Sequence, residues 1–510
     1  MQRLQRTYKI FTCFFISGIL SFTLAVSTVY GNPKHDNTFQ RLNQKIDSVL
    51  KASSLKNASV GVQIVSLKSG EVVYERNPAL ALNPASNTKL ITSAAALIEL
   101  TPQFRFQTIV YAGKKVRKGT LQGNLYLKGR GDPILSYEAL LTLAQDVYNA
   151  GIRNIAGDIV GDDSYFDEER EFSGWHDFKQ AYSGKISALS LNKNSLQLLI
   201  KPAYRSGVAP QVIIDPPTSY IRIKNKAVTL SSNKVYASFL PTEESAPTEE
   251  TLVVQGKISR KSRYGVSASI HVKNPTLFTT TAFKDALEQV GIRVEGEAAT
   301  TCQLPKQSRR IATYYSEPLS TIISESNKSS DNFVAEQLLK TLGAEQLGAP
   351  GTTEKGLQIV QEFLAGLNIP PDAYVLENGS GLSRNNRLSP EQIVTLLTFM
   401  YENFEVRSEY MASLAIAGVD GTLRRRLRNT QAERRLRAKT GAINKVSCLS
   451  GYAASRDNEV FAFSIMMNGY RSGGYDIKKI QNTIGLLLAE FYRRPLNVGL
   501  DHDSSPRESK

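Results

Sequence analysis

The sequence predicts a mixed α/β (α+β) protein, with helix and strand patterns at both ends of the chain around a long strand-rich middle. Three observations carry this. First, Val60, Val62 and Ile64 alternate before Lys68-Ser69-Gly70, and Val72 and Tyr74 resume the pattern, which is a hairpin signature. Second, the run from Ser86 to Leu100 is apolar nearly all round, so it reads as a helix buried in the middle of a domain. Third, from Phe104 to about Gly296 short alternating stretches such as Gln107-Thr108-Ile109-Val110-Tyr111 are punctuated by Gly131-Asp132-Pro133, Asp215-Pro216-Pro217 and Gly265. That texture is β-rich.

The elements follow in order along the chain. Arg3, Arg6 and Lys9 precede an uncharged run from Ile10 to about Val26, and Val29-Tyr30-Gly31 offers a cleavage site. Residues 1–31 therefore read as a secretory signal, with an uncleaved anchor as the alternative. Pro84 stands two residues before the apolar helix. Pro241 to Glu250 is polar and acidic, the texture of an exposed linker. After Gly296 helix spacing returns: Ser389-Pro390-Glu391-Gln392 supplies an N-cap, a first-turn proline and a back-bonding Gln before Ile393, Leu396, Leu397 and Met400. Cys448–Ala453 and Val460–Met467 read as strands around Arg456-Asp457-Asn458. Ile477, Ile480, Ile484, Leu487 and Phe491 then mark a closing amphipathic helix. The tail from Arg493 is polar and reads as loose.

Composition narrows the function classes. The chain has 510 residues, 41% apolar and 21% charged, with 35 Gly and 20 Pro, which excludes collagen-like and wholly disordered polymers. Lys and Arg number 62 against 47 Asp and Glu. Removing the leader with its three basic residues lowers the formal excess from +15 to +12. Outside the cytoplasm such a surface has no nucleic-acid partner to meet, so a wall polymer or membrane surface is the expected anionic contact. Cys13 falls in the leader, leaving Cys302 and Cys448 as one possible disulfide that spacing cannot establish. His35 and His502 lie in tails, and His176 and His271 have no paired metal spacing. On that spacing neither a metal nor another cofactor is expected; no G-x-S-x-G elbow is present either, so any nucleophile needs a base other than histidine.

Three short motifs can carry chemistry. Ser86-Asn87-Thr88-Lys89 begins the buried helix, where a three-residue spacing puts hydroxyl and amine on one face. A desolvated lysine loses basicity, and a neutral amine can take the serine proton. Ser330-Asp331-Asn332 precedes Val334, Leu338, Leu339 and Leu342, a setting in which it also makes an ordinary helix cap. Lys439-Thr440-Gly441 leads into a strand with Val446, Cys448 and Leu449, and the absent side chain at Gly441 suits a substrate backbone pairing along an edge. Each motif alone is commonplace.

Together and in this order they form the set of penicillin-binding proteins and class A β-lactamases. With Pro84-Ala85 ahead of Ser86, Asn327-Lys328-Ser329 ahead of Ser330, Gly379-Ser380-Gly381-Leu382-Ser383-Arg384 and Leu449-Ser450-Gly451-Tyr452, the chain resembles the D-alanyl-D-alanine carboxypeptidase/endopeptidase family of low-molecular-mass penicillin-binding proteins. The resemblance runs from about Asn43 to Tyr492 and includes Asp162-Asp163-Ser164-Tyr165-Phe166 and Ser187-Ala188-Leu189. Ser330 follows Ser86 by 244 residues (330 − 86), which implies a large insert. The resemblance implies a penicillin-binding/β-lactamase-like transpeptidase domain over 32–103 and 297–492, an inserted β-rich portion over 104–296 and a loose tail over 493–510.

The resemblance also implies roles. Ser86 is the nucleophile, Lys89 its base, Ser330 a proton relay and Asn332 a holder of the substrate amide and of Lys89. Lys439 supplies positive charge, Thr440 binds the terminal carboxylate, and the N–H groups of Ser86 and Ala442 form the oxyanion hole beside Gly441. Asp162 and Arg384 are the residues implied to meet the charged end of the peptide side chain. Relatives commonly carry Asp-Gly-Ser-Gly where this chain has Glu377-Asn378-Gly379-Ser380-Gly381, a departure that leaves Arg384 in place but touches the loop geometry. The implied partners are peptidoglycan stem peptides ending in D-Ala-D-Ala, with β-lactams as covalent inhibitors. A catalytically weak penicillin-binding scaffold and a β-lactamase are the competing readings. Arg424, Arg425, Arg426, Arg428, Arg434, Arg435 and Arg437 read as a solvated face, with anionic glycan or membrane as the alternative.

Overall fold

The computed structural model describes residues 37–172, 174, 184–231, 236–241, 249–301 and 303–493. The leader, His35, His176, His502, Cys302, most of the acidic linker and the tail beyond Arg493 lie outside the described residues.

The hairpin read from Val60 to Tyr74 forms as Ser59–Ser66 and Val72–Arg76. Its first strand also pairs antiparallel with Val460–Asn468, register Val62 to Ile465, which places it inside the sheet. The six-stranded sheet runs Ala415–Ile416, Leu436–Ile443, Val446–Ala454, Val460–Asn468, Ser59–Ser66, Val72–Arg76, with every neighbouring pair antiparallel. Strands from both chain ends therefore share one sheet. Helices cover it on two faces. Val62, Ile64, Phe461 and Phe463 join Ile477, Ile484 and Leu488 of Gly474–Glu490 in one core, with Phe39 and Ile46 of Asn37–Leu50. Tyr452 and Ala462 join a second core built from Thr88–Leu100, Leu319–Lys328, Asn332–Leu347 and Pro390–Glu402.

Thr88–Leu100 is buried except at Ile98 and Glu99, as an all-round apolar pattern demands. Pro390–Glu402 carries the full capping box: Ser389 Oγ accepts from Gln392 N, and Gln392 Oε1 accepts from Ser389 N at 2.9 Å. Arg493 differs from the loose-tail expectation, since it pairs with the nearly buried Glu459 at 2.9 Å.

The middle of the chain contains a five-stranded sheet, Ala298–Thr301, Ile159–Asp162, Leu125–Gly129, Gln107–Ala112, Arg309–Tyr315, beside smaller sheets. Ala298–Thr301 and Arg309–Tyr315 thus pair with strands of the 104–296 segment and not with the six-stranded sheet, because turn signals mark where strands stop but not which strands they join. Two helices also occur here, Tyr137–Asn149 and Pro275–Gln289, packed in one core with Leu125, Leu127 and Ile159. The second helix escapes a propensity reading because Thr279, Thr280 and Thr281 are β-branched. Their hydroxyls donate to the carbonyls four residues earlier at 2.9, 2.7 and 2.9 Å, which satisfies them inside the core.

Candidate active site

The site forms where the buried helix, the start of Asn332–Leu347 and the strand Leu436–Ile443 meet. Ser86 lies in a short 3-10 turn, Ala85–Asn87, that runs into Thr88–Leu100. Ala85 takes φ 45, a left-handed conformation unfavourable for a residue with a Cβ. Surrounding contacts hold it there. Asn83 Oδ1 accepts from Ala85 N at 2.8 Å, Thr88 Oγ1 donates to Ala85 O at 3.0 Å, and the glycine backbone of Gly381 presses so closely that a Cβ would lie 1.9 Å from that carbonyl.

Lys89 has no exposed surface. Its Nζ lies 3.2 Å from Ser86 Oγ, 2.7 Å from Asn332 Oδ1 and 2.6 Å from Ser380 O. Burial pulls its pKa down to about 7, against the raising influence of Glu336 and Asp331. A neutral amine has two N–H groups and one lone pair. The two carbonyl acceptors take the N–H groups, and the lone pair is left for the Ser86 hydroxyl.

Ser330 follows Leu319–Lys328 with φ 61, a second strained non-glycine position. The buried Lys439 donates to Ser330 Oγ at 2.8 Å and to Thr440 O at 2.8 Å. Burial, and then the proximity of Lys89, hold Lys439 well below the usual lysine range. Asp331 is the helix cap of the bland reading, its Oδ1 accepting from Val334 N at 3.1 Å, while its neighbours Ser330 and Asn332 face the two lysines. One tripeptide thus caps a helix and lines a site.

The structure changes the reading of two positions. A Cβ on Gly441 would fall 2.5 Å from Pro84 O. The missing side chain therefore admits the nucleophile turn, and not a substrate backbone. Among the described residues no strand pairs with the outer edge of this one beyond Ala438, because its two-residue neighbour pairs only with Ala438 and Arg437. Ala442 is exposed on that strand, and Thr440 Oγ1 donates to Thr422 Oγ1 at 2.9 Å. Asp162 is the second correction. Its side chain is fully buried, its Oδ2 accepts from Lys128 at 2.9 Å and its Oδ1 from Ser164 N at 2.9 Å, so a substrate cation has no open side to approach. Arg384 is exposed, and its carbonyl accepts from Asn83 Nδ2 at 3.0 Å, which ties its loop to the nucleophile turn. The arginine group splits: Arg424, Arg425, Arg428 and Arg434 are exposed, whereas Arg426 donates to Asn482 Oδ1 at 2.8 Å and to Gln481 Oε1 at 3.1 Å. Cys448 is a buried free thiol.

Residue patterns had pointed to neither Glu336 nor Lys193. Glu336 is buried one turn after Asn332 on the same helix face. It accepts from Gly379 N at 3.1 Å and Ser380 N at 2.8 Å, and so fixes the loop whose carbonyl holds Lys89. The spacing of four from Asn332 was its signal. Lys193 sits in Asn192–Asn194, where all three residues have positive φ. It donates to Asp331 Oδ2 at 2.8 Å and Glu325 Oε2 at 3.0 Å, clipping both flanks of the Ser330 turn from the middle segment. Nothing local marks it.

With this geometry established, comparison with known proteins is decisive. Residues 42–491 match the D-Ala-D-Ala carboxypeptidase 3 (S13) family. The chain belongs to this family. It is 36% identical over 467 residues to the D-alanyl-D-alanine carboxypeptidase of Actinomadura sp. (strain R39), covering 88% of this chain and 85% of that one. It is 27% identical over 428 residues to the D-alanyl-D-alanine carboxypeptidase DacB of Haemophilus influenzae, covering 83% and 88%. The crystal structure of penicillin binding protein 4 from Haemophilus influenzae shares the fold, with a TM-score of 0.73 at 24% identity over 86% of this chain and 98% of that one. Among the described residues no helix is long and apolar enough to cross a membrane.

Proposed function

We propose that this S13 family member is an exported serine-type D-Ala-D-Ala carboxypeptidase that also cleaves peptidoglycan cross-links. The single observation that carries the reading is a wholly buried Lys89, pKa pulled down to about 7, with its Nζ 3.2 Å from Ser86 Oγ and the N–H groups of its neutral form engaged by Asn332 Oδ1 and Ser380 O. Ser86 Oγ attacks the carbonyl of the penultimate D-alanine, and its proton passes to Lys89. The N–H groups of Ser86 and Ala442 receive the oxyanion. Collapse breaks the peptide bond, and the departing amine takes a proton through Ser330, which Lys439 holds in place. Water then resolves the acyl-enzyme and restores the serine.

Thr440 and Lys439 stand where a terminal carboxylate docks, and the outer edge of Leu436–Ile443 can pair with the stem peptide. Arg384 is the residue proposed to meet an anionic group of that peptide. A cross-link differs from the carboxypeptidase substrate only in the amine that leaves, so the same groups serve both reactions. Export rests on Arg3, Arg6 and Lys9 ahead of the uncharged run to Val26. Labelling with a fluorescent penicillin, followed by D-alanine release from a peptide ending in D-Ala-D-Ala, tests the reading. Absence of both would leave the scaffold reading standing, and rapid β-lactam turnover without D-alanine release would favour a β-lactamase.

A further inference from the structure

The middle segment carries a surface feature that the catalytic chemistry does not use. At one end of the strands Ser195–Lys201 and Val266–His271, two turns leave the protein side by side. Ile200 pairs with Val266, and both turns converge on Thr229 and Leu230. Gly207 N donates to Thr229 O at 2.8 Å, Thr229 N donates to Val208 O at 2.9 Å, and Arg260 N donates to Leu230 O at 2.8 Å. Backbone hydrogen bonds therefore fix the two turns as one tip.

The first turn exposes Lys201, Tyr204, Arg205 and Val208. The second exposes Arg260, Lys261, Arg263 and Tyr264. Tyr204 is 89% exposed, Tyr264 91% and Val208 48%. Five cations stand here, and neither turn contains a carboxylate. Positive charge alone suits any polyanion. Charge alone does not account for two nearly bare tyrosines. A bilayer interface does: amphipathic rings settle at headgroup depth while flanking Lys and Arg meet anionic lipid.

We infer that this tip, formed by residues 201–208 and 260–264, docks on the anionic headgroup surface of a lipid bilayer. The tip is a peripheral contact, with two rings at the interface and cations around them, and none of its residues belongs to the catalytic site. Each basic residue near such a surface strengthens partitioning by roughly fivefold.

The test is co-sedimentation of the full chain with vesicles of equal parts phosphatidylglycerol and phosphatidylcholine, and with vesicles of phosphatidylcholine alone. Penicillin acylation serves as the control for folding, since no tip residue belongs to the site. The wild type should pellet with the anionic vesicles and much less with the neutral ones. The variant R260Q/K261Q/R263Q should bind them roughly a hundredfold more weakly, three charges at about fivefold each. Y204S/Y264S should also lose binding, in a part that added salt does not remove. Wild-type protein remaining in the supernatant would overturn the inference. So would binding that ignores the tyrosine pair and is fully competed by soluble polyphosphate, which would make the tip a polyanion contact.

Discussion

Replacing Lys89 by Met, combined with a pH titration of the wild type, separates the proposed base from every other role of this residue. Met has similar length but cannot accept a proton. With a pKa of about 7 the neutral fraction of Lys89 rises about tenfold between pH 6 and 8 and then levels off, whereas a lysine at the ordinary value would rise about a hundredfold and keep climbing. The sign follows from the cause: burial penalises the ammonium, so the reactive neutral amine dominates above the depressed value and disappears as pH falls through it. The second-order rate of acylation by a chromogenic penicillin reports the free enzyme. It should therefore rise about tenfold from pH 6 to 8 and then plateau, with Lys89→Met slower by at least about a hundredfold. Since Lys439 shares the enclosure, the inflection belongs to the coupled pair. A hundredfold rise without a plateau, or near-normal acylation by Lys89→Met, would refute the assignment of Lys89 as base.

Four further outcomes are expected. Ser86→Ala should abolish penicillin labelling and D-alanine release while circular dichroism stays native, because only one hydroxyl leaves a helix end; retained release would remove Ser86 from the mechanism. Gly441→Ala should lose about 1–3 kcal/mol of stability by overpacking and lower acylation, since its Cβ would meet Pro84 O at 2.5 Å; unchanged Tm and acylation would show that the turn can yield. Asp162→Asn breaks a largely buried pair with Lys128, so turnover should fall equally on amine-bearing muropeptides and on a small D-Ala-D-Ala peptide. A loss confined to the muropeptides would restore Asp162 as a substrate contact. Lys193→Met should lower kcat more than it raises KM, because the clip on Asp331 and Glu325 positions Ser330 without touching substrate; an unaltered kcat with lower Tm would make the clip purely structural.

Local chemistry made several features legible in advance. The helix from Ser389 announced itself because capping is decided within four residues, and the structure contains the complete box. The burial of Thr88–Leu100 followed from the absence of a polar face. The motifs around Ser86, Ser330 and Lys439 were readable because each is a short run whose residue types are set by local backbone and by chemistry.

Other features depend on contacts between segments far apart in sequence. Gly441 looked like an opening for substrate, and only the approach of Pro84 reveals what its missing side chain accommodates. Asp162 looked like a rim carboxylate until pairing of Leu125–Gly129 with Ile159–Asp162 brought Lys128 to it, register Lys128 to Asp162. Lys193 lies 138 positions (331 − 193) from the Asp331 it grips, and no periodicity spans that distance. The sequence alone determined which groups can do acyl-transfer chemistry, because nucleophilicity and proton affinity reside in side-chain type. The tertiary structure decided which of those groups are desolvated, paired and aimed at one another, because a lysine's pKa and a carboxylate's availability are set by the atoms packed around them.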